Sequence, residues 1–426
     1  MVLKRIGFLC LFFPSLVIAQ SFSGRITTTF FTYERSDTVG ISTRQLRGYQ
    51  GFLLDFRRQR WLIRAYGQLD HDLSSPLSGD PRVRMYQLHA RWRSASRKWG
   101  VQLGRQLVFS GVASGTIDGI QLQISPIKWL RARLFAGSLM PSHQKLTLIE
   151  NPDQNFLMGG RLRFLPHRKV SLNFSYFNKK QTRPGYNTIR ADSLGNVYTQ
   201  FIQPATRAFQ MVGFDGSWQI HSAFSLYGRT DMDLYATRIT RGEIRMRLAP
   251  TPEWEVNAAY TYRSPRLPWN SIFSVFNVEE NHEIEAGLYY RASPEMQITA
   301  AGALILYPGD TSFRFSVGTN TEWGSITYVQ RGGYAGDLQS INAYLYRYIH
   351  GNQWLPTLQI SWARYRLASE VKQYTALLSA AFGISYRPAT TWSVDGQLQL
   401  LSNRFYQLDT RLLVRLQTWF FAAGQK

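Results

Sequence analysis

The segment FSLYGRTDMDLY, residues 224–235, alternates between apolar or small and polar side chains with a period of two. Phe224 and Leu226 would fall on one face of a β-strand, and Arg229 and Asp231 on the other. One face is apolar and the other carries charges, so we expect a strand whose two faces meet different environments.

The same alternation recurs along most of the chain, for example in residues 243–248, 254–263 and 392–400. Ten short polar connections separate these segments, and longer polar stretches lie between them. The short connections are residues 57–60, 94–98, 125–128, 166–169, 219–222, 249–253, 293–295, 320–322, 351–353 and 387–391; the longer stretches include 70–82, 138–155, 178–206 and 264–282.

Short turns on one side and long loops on the other are typical of a transmembrane β-barrel, with the turns in the periplasm and the loops outside. Ten turns and eleven loops give about 22 strands, and the sequence predicts about 18–22. We therefore expect an all-β, antiparallel, up-and-down barrel spanning residues 20–426. A β-propeller would show a repeat of blade length, and we find none at residue level.

The amino terminus has the pattern of an export signal. Lys4 and Arg5 precede an apolar run that Pro14 interrupts, and Val17 and Ala19 occupy the positions that a signal peptidase reads. We expect residues 1–19 to be removed. The single cysteine, Cys10, lies within that segment, so the mature chain would have no disulfide and no cysteine metal site.

The chain is strongly basic, with a formal net charge of +22. Charge of this sign favours anionic partners. For an exported barrel we expect these to be outer-membrane lipid, lipopolysaccharide and small solutes, with the barrel-assembly machinery as a further partner. No nucleic-acid recognition motif, metal-ligand spacing or cofactor motif is present, so we expect none of these ligands.

The stretch LGRQLVFSGVASGTIDGIQLQ, residues 103–123, holds four glycines. It lacks the Lys of a phosphate-binding loop, so we predict a hairpin with strands at 99–106 and 119–125 and a glycine-rich outer loop at 107–118. The order GRQ, loop, DG resembles hairpins of porin-like outer-membrane barrels, including those of the alginate-export type. The resemblance implies an outer-membrane location in a Gram-negative bacterium.

Tryptophans follow the short turns at seven places in the sequence. Indole rings favour the membrane interface because they combine an apolar body with a polar N–H. Five share parity with a clearly apolar set, and we predict that they form a periplasmic aromatic girdle: Trp61, Trp99, Trp254, Trp354 and Trp392.

Arginines recur on the polar faces of the expected strands, several as pairs two residues apart. Rings of Arg attract anions into pores, whereas pairing with interior acids would make the same residues structural. We expect an excess of positive charge in the lumen. The candidates for anion selectivity are Arg131, Arg133, Arg161, Arg163, Arg245, Arg247, Arg229 and Arg64.

These features predict a porin-like channel for small, polar or anionic solutes. The alternative is an outer-membrane surface enzyme or a non-conducting scaffold barrel. The histidines of DHD (70–72) and NHE (281–283) have no nucleophile beside them in the sequence, so we expect no enzyme and no catalytic residue. The longest connection, residues 178–206, is expected to control access to the lumen.

Overall fold

The computed structural model describes residues 21–38, 41–76, 79–182, 185–191, 196–203, 207–265, 279–334, 336–367, 373–403 and 408–423. The predicted signal segment, residues 1–19, lies outside these ranges. Among the described residues, no helix is long and apolar enough to cross a membrane.

Twenty-four β-strands account for most of the described chain. The first nine are β1 (Ser21–Thr38), β2 (Ile41–Arg58), β3 (Trp61–Asp72), β4 (Arg82–Arg93), β5 (Trp99–Phe109), β6 (Ser114–Ile127), β7 (Leu130–Leu139), β8 (Phe156–His167) and β9 (Val170–Gln181). A separate hairpin follows, made of β10 (Tyr186–Ala191) and β11 (Val197–Ile202).

The remaining strands are β12 (Arg207–His221), β13 (Phe224–Asp233), β14 (Arg238–Leu248), β15 (Trp254–Arg263), β16 (Asn281–Ser293), β17 (Met296–Tyr307), β18 (Asp310–Thr321), β19 (Gly324–Gly333), β20 (Asp337–Tyr346), β21 (Trp354–Arg366), β22 (Thr375–Ala389), β23 (Trp392–Ser402) and β24 (Asp409–Ala423).

The strands form one closed antiparallel barrel. Each strand pairs with the next, β9 pairs with β12, and the barrel has 22 strands. The first and last strands close it, from the pair Ser21 and Ala423 to the pair Phe31 and Leu413. Closure satisfies the backbone hydrogen bonds that an open edge in lipid would leave unpaired. The predicted fold class is confirmed, at the upper end of the expected strand number.

The ten predicted short turns all lie at one end of the barrel, which we call the turn end. The described ends of β1 and β24 lie there too. We call the opposite end the loop end. The expected contrast in length is only partly right, because residues 308–309 and 110–113 are short connections at the loop end. Several hairpins there continue as paired strand beyond the 9–11 residues that span a membrane, as in the 18-residue β1.

The outer surface is apolar and the inner surface polar. Exposed apolar side chains point outward from β7–β9, β12 and β14–β17: Leu134, Leu162, Phe174, Phe214, Ile244, Val256, Ile284 and Leu304. Residues of the opposite parity, such as Asp215, Arg229, Glu243 and Glu283, face the lumen. Alternation therefore creates a lipid-facing wall and a polar lumen from the same strands.

Candidate functional site

All eight predicted arginines occupy the inner parity of their strands. On β7, Arg131 and Arg133 share a face with the buried Phe135, whereas Leu134 is exposed on the other face. On β14, Arg245 alternates with the exposed Ile244. The inward direction follows from the membrane, because an arginine facing lipid near mid-membrane would cost about 2–4 kcal/mol.

Four of these arginines meet across one strand pair. Arg131 lies directly opposite Arg163, and Arg133 directly opposite Arg161, on β7 and β8. We call these four residues the arginine cluster. Like charges at directly opposite positions destabilise a sheet unless water or counter-ions compensate. The cluster is therefore a place where the fold concentrates positive charge inside the lumen.

Carboxylates are scarce around the arginine cluster. Nη2 of Arg161 lies 3.3 Å from Oδ2 of Asp215, and Nε of Arg163 donates to Oγ of Ser171 at 3.2 Å. Within the described ranges, Arg131 and Arg133 have no hydrogen-bond or ion-pair partner, and both are exposed to the lumen. One carboxylate thus faces four guanidinium groups.

The other four predicted arginines are paired with acids. Arg64 binds Asp55 through two hydrogen bonds of 2.7 Å, and Arg229 binds Asp231 with a shortest distance of 2.7 Å. On β14, Arg245 pairs with Glu243. Arg247 pairs with Glu255 at 2.6 Å. For these four residues the structural alternative, pairing with interior acids, describes the observed contacts.

On the wall from β14 to β18, acids likewise neutralise the charges of the arginines. Glu283 accepts from Arg263 at 2.6 Å and from Arg314 at 2.8 Å, and Arg314 also reaches Glu285. Positive charge is thus unevenly distributed around the barrel. A recess of about 270 Å³ beside the arginine cluster adds Arg93 and Arg97 to Arg131, which extends the basic wall towards β4.

The five predicted girdle tryptophans lie at the turn end. Each is the first residue of its strand, on the outward parity. Two stack on tyrosines of the neighbouring strand, Trp254 on Tyr290 with ring centroids 4.3 Å apart and Trp354 on Tyr386 at 4.1 Å. These cross-strand aromatic pairs place amphipathic rings at the barrel rim, as expected for residues at a membrane interface.

An apolar cluster inside the lumen was not predicted. Val108, Ile117, Phe135, Leu139, Leu157, Phe177 and Met211 are buried together on the inner face of β5–β9 and β12, between the arginine cluster and the loop end. Burial of each such side chain contributes about 1.5–3 kcal/mol. The sequence signal is the unbroken run Leu107, Val108, Phe109, which is typical of a strand buried on both faces.

The β5–β6 hairpin causes this burial, and its predicted limits were wrong. The loop comprises only residues 110–113, because β5 continues to Phe109 and β6 begins at Ser114. Val112 and Ala113 pack against the apolar cluster. Gly115, expected in the loop, lies within β6. Gly119, expected at the start of the second strand, pairs with Gly104 on one side and Gly137 on the other, where it allows close strand approach.

Arg105 was also missed. By alternation it shares parity with the lipid-facing Leu103 and Leu107, but its guanidinium is buried. Nε and Nη2 each bind a carboxylate oxygen of Asp118 at 2.7 Å. The guanidinium also donates to the carbonyl oxygens of Met85, Gln144, Lys145 and Thr147. The available signal in the sequence was a lone arginine at a lipid-facing position, since a charge there requires a partner that shields it from lipid.

The described parts of residues 178–206 give no support to a role in access. The hairpin of β10 and β11 is exposed, including Ile189, Val197 and Phe201. Residues 183–184, 192–195 and 204–206 lie outside the described ranges. Access control by this connection stays a prediction, and the described elements that enter the lumen belong to other loops.

Comparison with known proteins relates the chain to large membrane barrels by fold alone. No known family model matches the chain, and no curated protein matches it either. The siderophore receptor PirA from Pseudomonas aeruginosa is 12% identical with a TM-score of 0.58, covering 94% of this chain and 80% of that chain.

Two further structures are similar over most of this chain. One belongs to the E. coli P pilus tip assembly intermediate PapC-PapD-PapK-PapG, 9% identical with a TM-score of 0.54, covering 96% of this chain and 62% of that chain. The other is OccK3 (OpdO) from P. aeruginosa, 11% identical with a TM-score of 0.44, covering 96% of this chain and 99% of that chain.

Fold and surface together define the class. A closed 22-strand barrel with an apolar outer face and a polar inner face is the architecture of a Gram-negative outer-membrane protein. The chain is therefore an outer-membrane β-barrel, and its apolar outer face suits contact with lipid.

Proposed function

We propose that this barrel is a channel for small polar solutes, with a preference for anions, and not an enzyme. The observation that carries the proposal is the arginine cluster, in which four guanidinium groups on facing positions of β7 and β8 have one carboxylate neighbour. Rings and clusters of arginine raise the local concentration of anions in a pore.

The size of the lumen limits how strong this preference can be. A barrel with so many strands leaves a wide interior unless part of it is filled. Charge in water is screened over roughly 8–10 Å at physiological salt, so anions passing far from β7 and β8 would not be selected. We therefore expect modest anion selectivity.

A second candidate function is a non-conducting scaffold barrel. The apolar cluster and residues 110–113 fill part of the lumen near the loop end, which favours this alternative. The two candidates differ in whether a continuous water-filled path remains beside the filled part.

Reconstitution into planar bilayers separates these candidates. We expect stepwise channel insertions and, under a gradient of potassium chloride, a reversal potential of the sign that indicates chloride preference. Empty vesicles and heat-denatured protein are the controls. A correctly folded barrel that carries no current would support the scaffold, and a cation-selective channel would reject the anion preference.

A further inference from the structure

The β5–β6 hairpin bends where three strands approach unusually closely. Gly104 has a φ of +112°, in a region that disfavours L side chains. Gly119 stands beside it, and Gly119 and Gly137 are so close that a Cβ on Gly137 would lie 2.7 Å from Cα of Gly119. Glycines inside strands mark such bends in barrel walls. The bend directs the end of the hairpin into the lumen.

The tip of the hairpin reaches the inner wall on β9, β12 and β13. Nη2 of Arg229 donates to the carbonyl oxygen of Gly111 at 3.1 Å. A Cβ on Gly111 would lie 2.6 Å from Oγ of Ser175, and the side chain of Val112 fills the space that a Cβ on Gly213 would need. The tip therefore packs against β9, β12 and β13, which are the third, fourth and fifth strands from β6 round the barrel.

A different segment seals the wall behind the bent hairpin. β4 and β5 pair over only six residues, from Leu88 opposite Arg105 to Arg93 opposite Gly100. Beyond this point the backbone N–H of Met85 donates to Gln144 in the β7–β8 connection at 2.8 Å. The guanidinium of Arg105 holds the same connection, because it donates to the backbone carbonyl oxygens of residues 144, 145 and 147. Residues 144–147 thus occupy the place beside β4 that β5 has left.

We propose that the hairpin end, residues 105–118, is a fixed partition that closes off the side of the lumen between β5 and β13 and so limits the size of the path beside it. The proposal rests on the proposed channel function and adds a size limit: small solutes pass beside the partition, and folded polypeptides are excluded. Packing of Val108 and Ile117 among seven buried apolar side chains, together with the Arg105 contacts, makes the partition a permanent part of the wall.

A disulfide tests the position of the tip. In the variant Val112→Cys/Gly213→Cys, the two Cβ atoms fall within disulfide reach if the tip is seated as described. We expect dissolved oxygen to oxidise the two thiols to a disulfide in the folded barrel, as shown by loss of maleimide labelling and its return after reduction. The control Val112→Cys/Ser316→Cys, with its second thiol on the inner parity of β18, should stay reduced.

Conductance then tests whether the partition is fixed. We expect the same single-channel conductance before and after reduction of the 112–213 disulfide. Replacing residues 110–113 with Asn-Gly, which suits the two-residue turn between Phe109 and Ser114, removes the tip contacts with β9, β12 and β13 and should raise conductance.

Three results would overturn the partition: no disulfide in a barrel that shows the normal heat-dependent shift in gel mobility, a large increase in current on reduction, or unchanged conductance after tip replacement. If the parent carries no current, the proposed channel fails, whereas disulfide formation still decides where the tip lies.

Discussion

Replacing Arg105 with methionine should lower the free energy of unfolding by about 3–5 kcal/mol, the range measured when one partner of a buried ion pair is removed. The side chain of Arg105 is 1% exposed and that of Asp118 is 10% exposed. Methionine would remove the Arg105 donor from the Asp118 carboxylate and from the carbonyl oxygens of residues 85, 145 and 147, whereas Gln144 would keep its bond from the backbone N–H of Met85. Thermal unfolding followed by circular dichroism and gel mobility measures the loss.

The matched control is Arg247→Met, which breaks an ion pair of similar length in a wetter place. Side chains of Arg247 and Glu255 are 45% and 30% exposed, so the change should be within about 0–1 kcal/mol. Arg105→Met/Asp118→Leu should recover part of the loss because no unpaired charge remains. Equal destabilisation by Arg105→Met and Arg247→Met would contradict the anchoring role of Arg105.

Charge reversal in the arginine cluster should change ion selectivity more than any other double substitution in the lumen. In Arg131→Glu/Arg133→Glu, two unpaired cations become anions on the inner face of β7. We expect the reversal potential under a potassium chloride gradient to move towards cation preference, since local charge controls the ion concentration within about a Debye length.

The control Arg247→Gln/Glu255→Gln removes one cation and one anion that already neutralise each other. Its reversal potential should match that of the parent. A reversal potential that does not move in Arg131→Glu/Arg133→Glu, or one that moves equally in the control, would mean that the arginine cluster is structural and not selective.

Alternation and turns were sufficient to predict the barrel. Both signals are local: a period of two assigns each side chain to a face, and short polar connections mark where strands reverse. The ten turns therefore gave the strand number. The same parity placed Arg131, Arg133, Arg161 and Arg163 on the inner face, where the structure has them.

Prediction of the ion pairs required the register between neighbouring strands. Alternation alone could not decide that Arg64 binds Asp55 across β2 and β3 while Arg131 faces Arg163 across β7 and β8. A shift of register by two residues keeps every side chain on its face but changes all of its opposite neighbours. Five of the eight selectivity candidates, with Arg161 among them, consequently proved to be paired with an acid.

The inward hairpin depended on contacts between residues far apart in sequence. Gly104, Gly119 and Gly137 look like loop or bulge residues when read singly, and their shared row exists only once three strands are in register. The contact between the hairpin tip and Gly213 joins residues that are even further apart in the sequence. Local patterns therefore located the hairpin but gave neither its length nor its direction.

The central claim is that the arginine cluster faces the lumen of a conducting barrel. Cysteine accessibility along β7 tests this claim most directly, because it probes the barrel wall and the conducting lumen together. Cys10 is the only cysteine and lies in the segment expected to be removed, so single variants at residues 131–134 would each carry one thiol. A charged, water-soluble thiol reagent should react at 131 and 133 and change the current. Residues 132 and 134 should react only with a membrane-soluble probe and leave the current unchanged. Reaction at all four positions, or modification at 131 and 133 without any effect on current, would contradict a lumen-facing arginine cluster in a conducting barrel.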